Sequence, residues 1–154
     1  MNGSRRKLIF FLALPLFVGA LAGFLTKDSM MIYRNLNRPS LSPPGWVFPV
    51  VWTILYVLMG LGSYLIAQTS SPGRNEALRL YGIQLLLNFI WSLVFFHFQN
   101  YLFAFFVLLL LWYFIVRMIT VFWSVNPTAA LLQIPYLLWV TFAGYLNLAI
   151  VFLN

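Results

Sequence analysis

The sequence predicts an all-α integral membrane protein, folded as a five-transmembrane-helix bundle. Three observations carry that prediction. Of 154 residues, 63% are hydrophobic and only 7% charged, whereas a soluble domain carries about 25% charged residues to face water. The apolar residues run in five stretches, each close to the ~20 residues that a helix needs to cross hydrocarbon. The runs are continuous, while the strands of a membrane barrel alternate polar and apolar residues. The same composition excludes a disordered chain.

The spans fall at about 8–26, 46–67, 79–98, 101–123 and 128–153, in a single membrane domain over 1–154 with a lid loop at about 27–45. The first span follows Arg5-Arg6-Lys7, a basic start like that of a secretory signal. Its apolar run exceeds the usual ~7–15 residues and ends at Lys27-Asp28, a poor cleavage site, so it reads as a retained helix. Gly19 and Gly23, four apart on this span, permit close helix approach, within the chain or between copies. The connection to the second span is the one long loop, and such loops are often functional lids.

Ser42-Pro43-Pro44 reads as an N-cap followed by proline at the first helical position, opening the second span. Ser70-Ser71-Pro72-Gly73 breaks the chain after it. The third and fourth spans join through a tight hairpin at Gln99-Asn100. Arg117 interrupts the fourth near its end, where its side chain can snorkel to the interface. Asn126-Pro127 repeats the cap-and-proline device before the fifth span. No internal repeat suggests an inverted-repeat transporter.

The net charge of +7 is scattered between apolar runs rather than gathered on one face, which argues against a nucleic-acid partner. Positive loops beside membrane spans account for it. Arg5, Arg6, Lys7, Arg74, Arg79 and Arg117 fall on one side of the bilayer, and Lys27, Arg34 and Arg38 on the other. The N-terminus is therefore expected in the cytoplasm. With no Cys, the chain has no disulfide, thiolate metal site or Cys nucleophile. One His and two acids leave almost no material for a metal site or an acid–base pair, and neither metal nor cofactor is expected. Both acids, Asp28 and Glu76, lie in loops and His97 at the end of the third span, so proton-coupled transport lacks its usual intramembrane group.

Polar residues inside the spans fall on stripes. Gln84, Asn88 and Trp91 share one face of the third span. Pro135, Trp139, Phe142 and Leu146 share a face of the fifth, with Ala143 and Asn147 alongside. Pro49, Trp52, Tyr56 and Met59 form a stripe on the second. Amides are costly in lipid, so these faces point inward. There they either join helices or furnish a cavity with aromatic walls and a few orienting amides. Of the six Trp residues, Trp46 and Trp123 fit the headgroup belt, whereas Trp52, Trp91 and Trp139 lie deeper. A buried indole needs an N–H partner or a ligand.

The segment from Arg38 to Tyr56, RPSLSPPGWVFPVVWTILY, resembles the signature of the TspO/MBR family, the tryptophan-rich sensory proteins similar to the mitochondrial translocator protein or peripheral benzodiazepine receptor. Two further blocks agree, QLLLNFIW from Gln84 to Trp91 and PYLLWVTFAGYLN from Pro135 to Asn147. The resemblance runs from about Tyr33 to Asn147. It implies a five-helix bundle, usually a homodimer in a lipid bilayer, with a cavity under the loop between the first two spans. Family members bind porphyrins such as protoporphyrin IX and heme-type molecules, together with isoquinoline- and benzodiazepine-type drugs. Carried over by motif position, the ligand-binding set is Tyr33, Pro43, Phe48, Trp52, Asn88, Trp91, Trp139, Ala143 and Leu146.

Some members are reported to degrade protoporphyrin in light and oxygen. The resemblance assigns that catalysis to Trp52 and Trp139, with excited porphyrin generating reactive oxygen and a stacked indole supplying an electron or radical. The sterol motif of mitochondrial members needs a basic residue after the last helix, and no Lys or Arg follows Arg117. Ser42 stands where mitochondrial relatives carry His. A short chain without Cys points to a bacterial cell membrane. Three functions compete: a porphyrin-binding receptor or sensor, a photo-oxidative porphyrin-degrading enzyme, and a transporter of porphyrin or another amphiphile. A structural bundle without a ligand is a fourth.

Overall fold

The computed structural model describes residues 2–154, and every regular element among them is helical. The order is α1 (Gly3–Thr26), α2 (Met30–Arg34), α3 (Val47–Gln68), α4 (Arg74–Ser92), α5 (Tyr101–Val125), α6 (Pro127–Leu131) and α7 (Ile134–Leu153). A 3-10 turn, Lys27–Ser29, joins α1 to α2, and a π-helical turn, Leu93–His97, extends α4. Five segments are long and apolar enough to cross a membrane: Gly3–Arg34, Val47–Gln68, Arg74–His97, Tyr101–Val125 and Pro127–Leu153.

Local chemistry explains where the boundaries depart from the sequence expectation. The first helix starts at Gly3, because the Asn2 side chain accepts the Ser4 amide at 3.0 Å and caps it. Arg5, Arg6 and Lys7 therefore lie within its first turns. The lid is not a plain loop, since α2 occupies part of it.

Ser42 caps no helix. Helix α3 begins at Val47 with Trp46 at the N-cap and no side-chain cap. A residue before proline is disfavoured in helical conformation, so Ser42-Pro43-Pro44 stays irregular and links two flanking turns. In them the Ser42 amide donates to Pro39 O and the Val47 amide to Pro44 O.

Asn126 does cap as its sequence predicts, accepting the amides of Thr128 and Ala129 with Pro127 in the first turn. The fifth span is then broken between α6 and α7, where Pro135 offers no N–H to continue the ladder. Gln133 holds the break in place. Its Nε2 donates to Leu58 O of α3 at 3.0 Å, and Gly62 leaves the room this needs, since a methyl there would collide with that amide.

In the bundle α1 packs on α3, α4 on α5, and α5 on both α6 and α7. Buried Met59, Ile66, Leu111, Ile115, Phe122 and Tyr136 fill the interior. Phe10, Phe17, Phe106, Leu110 and Phe152 face outward, as a lipid-facing surface requires. Helices α1 and α3 approach closely where Gly60 faces the backbone of Phe11 and Leu12. Pro15 has no N–H to give to the Phe11 carbonyl, and Gly60 lets α3 close over that bared oxygen.

The two ends of the bundle differ. At one end Ser4 meets Tyr64 and Gln68 of α3, and Arg117 forms an exposed ion pair with Glu76 at 3.8 Å. Arg5, Arg6, Lys7, Arg74 and Arg79 share this end. At the other end the lid is fastened to the end of α7. The Asn37 amide donates to Asn154 Oδ1 at 3.0 Å, and Asn154 Nδ2 returns a bond to Asn37 O at 2.9 Å.

Candidate functional site

Beneath the lid lies a cavity of about 450 Å³, within the ~300–1,000 Å³ common for small-molecule sites. Each wall has a sequence cause. The α1 side is made of small residues, Gly19, Ala20, Ala22 and Gly23, which leave space instead of filling it. A methyl on Gly19 would collide with the Tyr56 ring, so this glycine serves approach within the chain, whereas Gly23 has open space around it. Helix α3 contributes Phe48, Pro49, Trp52, Thr53 and Tyr56 at helical spacing. Helix α7 contributes Trp139, Ala143, Leu146, Asn147 and Ile150. The α4 end contributes Trp91, Phe95 and Phe96, and the lid contributes Tyr33.

Aromatic rings order one another around this space. Trp52 stacks on Tyr56 with centroids 5.6 Å apart and lies edge-on to Tyr136 at 6.3 Å. Trp139 meets Phe48 at 5.9 Å. Tyr33 closes the lid side, edge-on to Phe48 at 6.3 Å and to Phe96 at 5.5 Å. Trp91 Nε1 donates to Asn147 Oδ1 at 3.0 Å, and Asn147 Nδ2 donates to Tyr101 O at 2.9 Å. The Trp139 Nε1 is buried and has no hydrogen-bond partner. Among the described residues, no carboxylate, amine, guanidinium or imidazole lines the cavity.

Seven of the nine sequence-assigned ligand-binding residues stand on this wall: Tyr33, Phe48, Trp52, Trp91, Trp139, Ala143 and Leu146. Asn88 and Pro43 do not. Pro43 lines a separate groove on the lid. Asn88 is buried behind Tyr56 and is consumed by helix joining. Its Oδ1 accepts the Tyr56 hydroxyl at 3.2 Å, and its Nδ2 donates to the Tyr136 hydroxyl at 2.8 Å. The Tyr136 hydroxyl in turn donates to Gln84 Oε1 at 2.7 Å. Both Gln84 and Asn88 are thus structural joints between α3, α4 and α7, whereas Asn147 both lines the cavity and fixes Trp91.

This network predicts that Tyr136→Phe lowers stability by about 1–3 kcal/mol, because it strands the Asn88 and Gln84 amides together. Thermal unfolding in detergent checks it, with the exposed Tyr113→Phe as the neutral comparison. An unchanged midpoint for Tyr136→Phe would show that the network carries no load.

Sequence reasoning missed Phe95 and Phe96, and the α1 wall. The π-helical turn brings both consecutive phenylalanines to the cavity. There the Phe98 amide bonds Leu93 O at 2.9 Å, five residues back, instead of the usual four. No local signal in LVFFH announces that turn. On α1, the small residues at 19, 20, 22 and 23 are a readable signal, of which sequence reasoning takes only Gly19 and Gly23, and those for helix approach.

Fold and site together define a class: a five-helix integral membrane protein that encloses an uncharged aromatic cavity beneath a tethered lid. Within that class, residues 11–153 match the TspO/MBR family, and the chain belongs to it. It is 41% identical to the tryptophan-rich protein TspO of Chlorobaculum tepidum, over 100% of this chain and 99% of that protein. It is 39% identical to the tryptophan-rich sensory protein of Cereibacter sphaeroides, over 79% of this chain and 76% of that one. It is also 36% identical to the translocator protein of Homo sapiens, over 88% of this chain and 80% of that one.

Proposed function

We propose that this chain is a membrane receptor or sensor that binds porphyrins, and isoquinoline- or benzodiazepine-type compounds, in the cavity under the lid. One observation carries the reading: three indoles surround a space of about 450 Å³ whose wall bears no charged group. A flat aromatic ligand gains stacking and edge contacts there. The unengaged Trp139 N–H offers the single-point polar contact that orients such ligands. The names of its relatives, sensory protein and translocator protein, agree with a binding role.

Titrating protoporphyrin IX into detergent-purified protein in the dark tests it. Saturable tryptophan quenching, displaced by an isoquinoline carboxamide, is the expected result. Quenching that rises without saturation would overturn the assignment.

A second reading has its own support. Trp52 and Trp139 line the same cavity from different helices, so an excited porphyrin in it has two indole electron donors in reach, with dioxygen as the oxidant. Light-dependent loss of the porphyrin band that Trp52→Phe and Trp139→Phe both abolish, with dark affinity retained, would favour this enzyme.

The charge distribution supports an orientation. The end with Arg5, Arg6, Lys7, Arg74, Arg79 and Arg117 faces the cytoplasm of a bacterial cell, and the lid faces outward.

A further inference from the structure

The lid carries a second concavity, a groove of about 780 Å³ lined by Asn37, Arg38, Pro39, Ser42 and Pro43 among others. It adjoins the aromatic cavity across one pair of residues. The Arg38 guanidinium lies 5.4 Å over the Tyr33 ring, so Tyr33 walls the cavity and Arg38 walls the groove. One hydroxyl in the groove lacks a hydrogen-bond partner, and Arg38, seated on the Tyr33 ring, lacks an anion among the described residues. The Ser42 hydroxyl is buried without a hydrogen bond. Arg38 is half-buried and meets no carboxylate; among the described residues the one ion pair is Arg117–Glu76, at the opposite end of the bundle. A buried polar group left unpaired is costly, and native structures rarely keep one without a use. The Asn37–Asn154 bonds and the Pro39–Ser42 turn hold the groove in shape.

We propose that this groove is a carboxylate subsite. In it Arg38 pairs with, and Ser42 donates to, the acidic side chain of an amphiphile whose flat ring system occupies the cavity. The inference rests on the porphyrin reading and deepens it, because it sets the direction in which the ligand enters. A carboxylate carried into the cavity would be buried among rings with no cation to meet it, at a high desolvation cost. Turned toward the lid, the same group reaches a guanidinium whose planar fork matches it. Other cations at this end are placed differently: Lys27 lies over the outward-facing Phe24 ring, and Arg34 is exposed.

The test compares protoporphyrin IX, a diacid, with its uncharged dimethyl ester, in bilayer discs of zwitterionic lipid in the dark. The diacid is expected to bind wild type about ten-fold more tightly than the ester. Arg38→Gln removes that advantage while ester binding stays the same, which also reports an intact cavity. Arg38→Lys keeps the charge without the fork and falls between. Ser42→Ala weakens the diacid alone.

Three results overturn the subsite while leaving the cavity standing: equal binding of diacid and ester by wild type, an Arg38→Gln loss shared equally by both ligands, or a loss that appears only when anionic lipid is added. The last would assign Arg38 to a lipid headgroup. Failure of both ligands to saturate wild type would remove the porphyrin reading and the subsite with it.

Discussion

Replacing Trp52 and Trp139 together by alanine is expected to lower dark affinity for protoporphyrin IX by about a hundred-fold. The two indoles come from different helices and line one space, so their removal takes away facing contacts on the same ligand. Each contributes buried apolar area at roughly 25 cal/mol per Å² and a ring–ring term of about 0.5–1.5 kcal/mol. Phenylalanine at either position keeps most of both terms, and its effect should stay within a few-fold. The porphyrin absorbance shift is the readout, since it does not depend on how many tryptophans remain. Trp46 and Trp123 are outward-facing, so their alanine variants serve as the comparison. A double alanine variant with wild-type affinity would show that the ligand lies elsewhere.

The second large effect concerns the scaffold. Gly60→Val is expected to lower the thermal midpoint strongly, and Gly60→Ala to cost about 1–3 kcal/mol by overpacking. A methyl on Gly60 would lie 2.7 Å from the Phe11 carbonyl oxygen and 2.9 Å from Leu12 Cα. Both are backbone atoms of α1, so no side chain can swing away and the helix itself must move. Because α1 supplies the small-residue wall, a displaced α1 should also weaken porphyrin binding. Gly82→Ala is the comparison: a methyl there meets nothing within 4 Å, and alanine is the better helix former by about 1 kcal/mol. Thermal unfolding of the three variants decides it. A Gly60→Val protein as stable as wild type would mean that the α1–α3 contact is not tight.

The five spans were legible in the sequence because a bilayer imposes length and apolarity on any helix that crosses it. Seven of the cavity residues were legible too, from the inward stripes of the second and fifth spans and from the family motifs. Asn88 and Gln84 show where that reading stopped. They share a helix face with Trp91, yet only Trp91 lines the cavity. Periodicity gives the angle of a side chain around its helix axis. It does not say at what depth a cavity ends and a joint begins. Asn88 is withdrawn from the cavity because two tyrosines, 32 and 48 residues away in sequence, take its hydrogen bonds.

Ser42 and the π-helical turn follow the same logic. A serine before two prolines carries the signature of a helix cap, yet here it leads into irregular chain, and the helix starts only at Val47. The extra residue in the Leu93–His97 turn left no trace in composition. By itself the sequence determined the solvent, the number of crossings, the scarcity of acid–base groups and the family, since each depends on residue type and spacing along one helix. Only the tertiary structure decided which inward residues enclose space and which close it. That depends on which partner from a distant helix satisfies each polar group first.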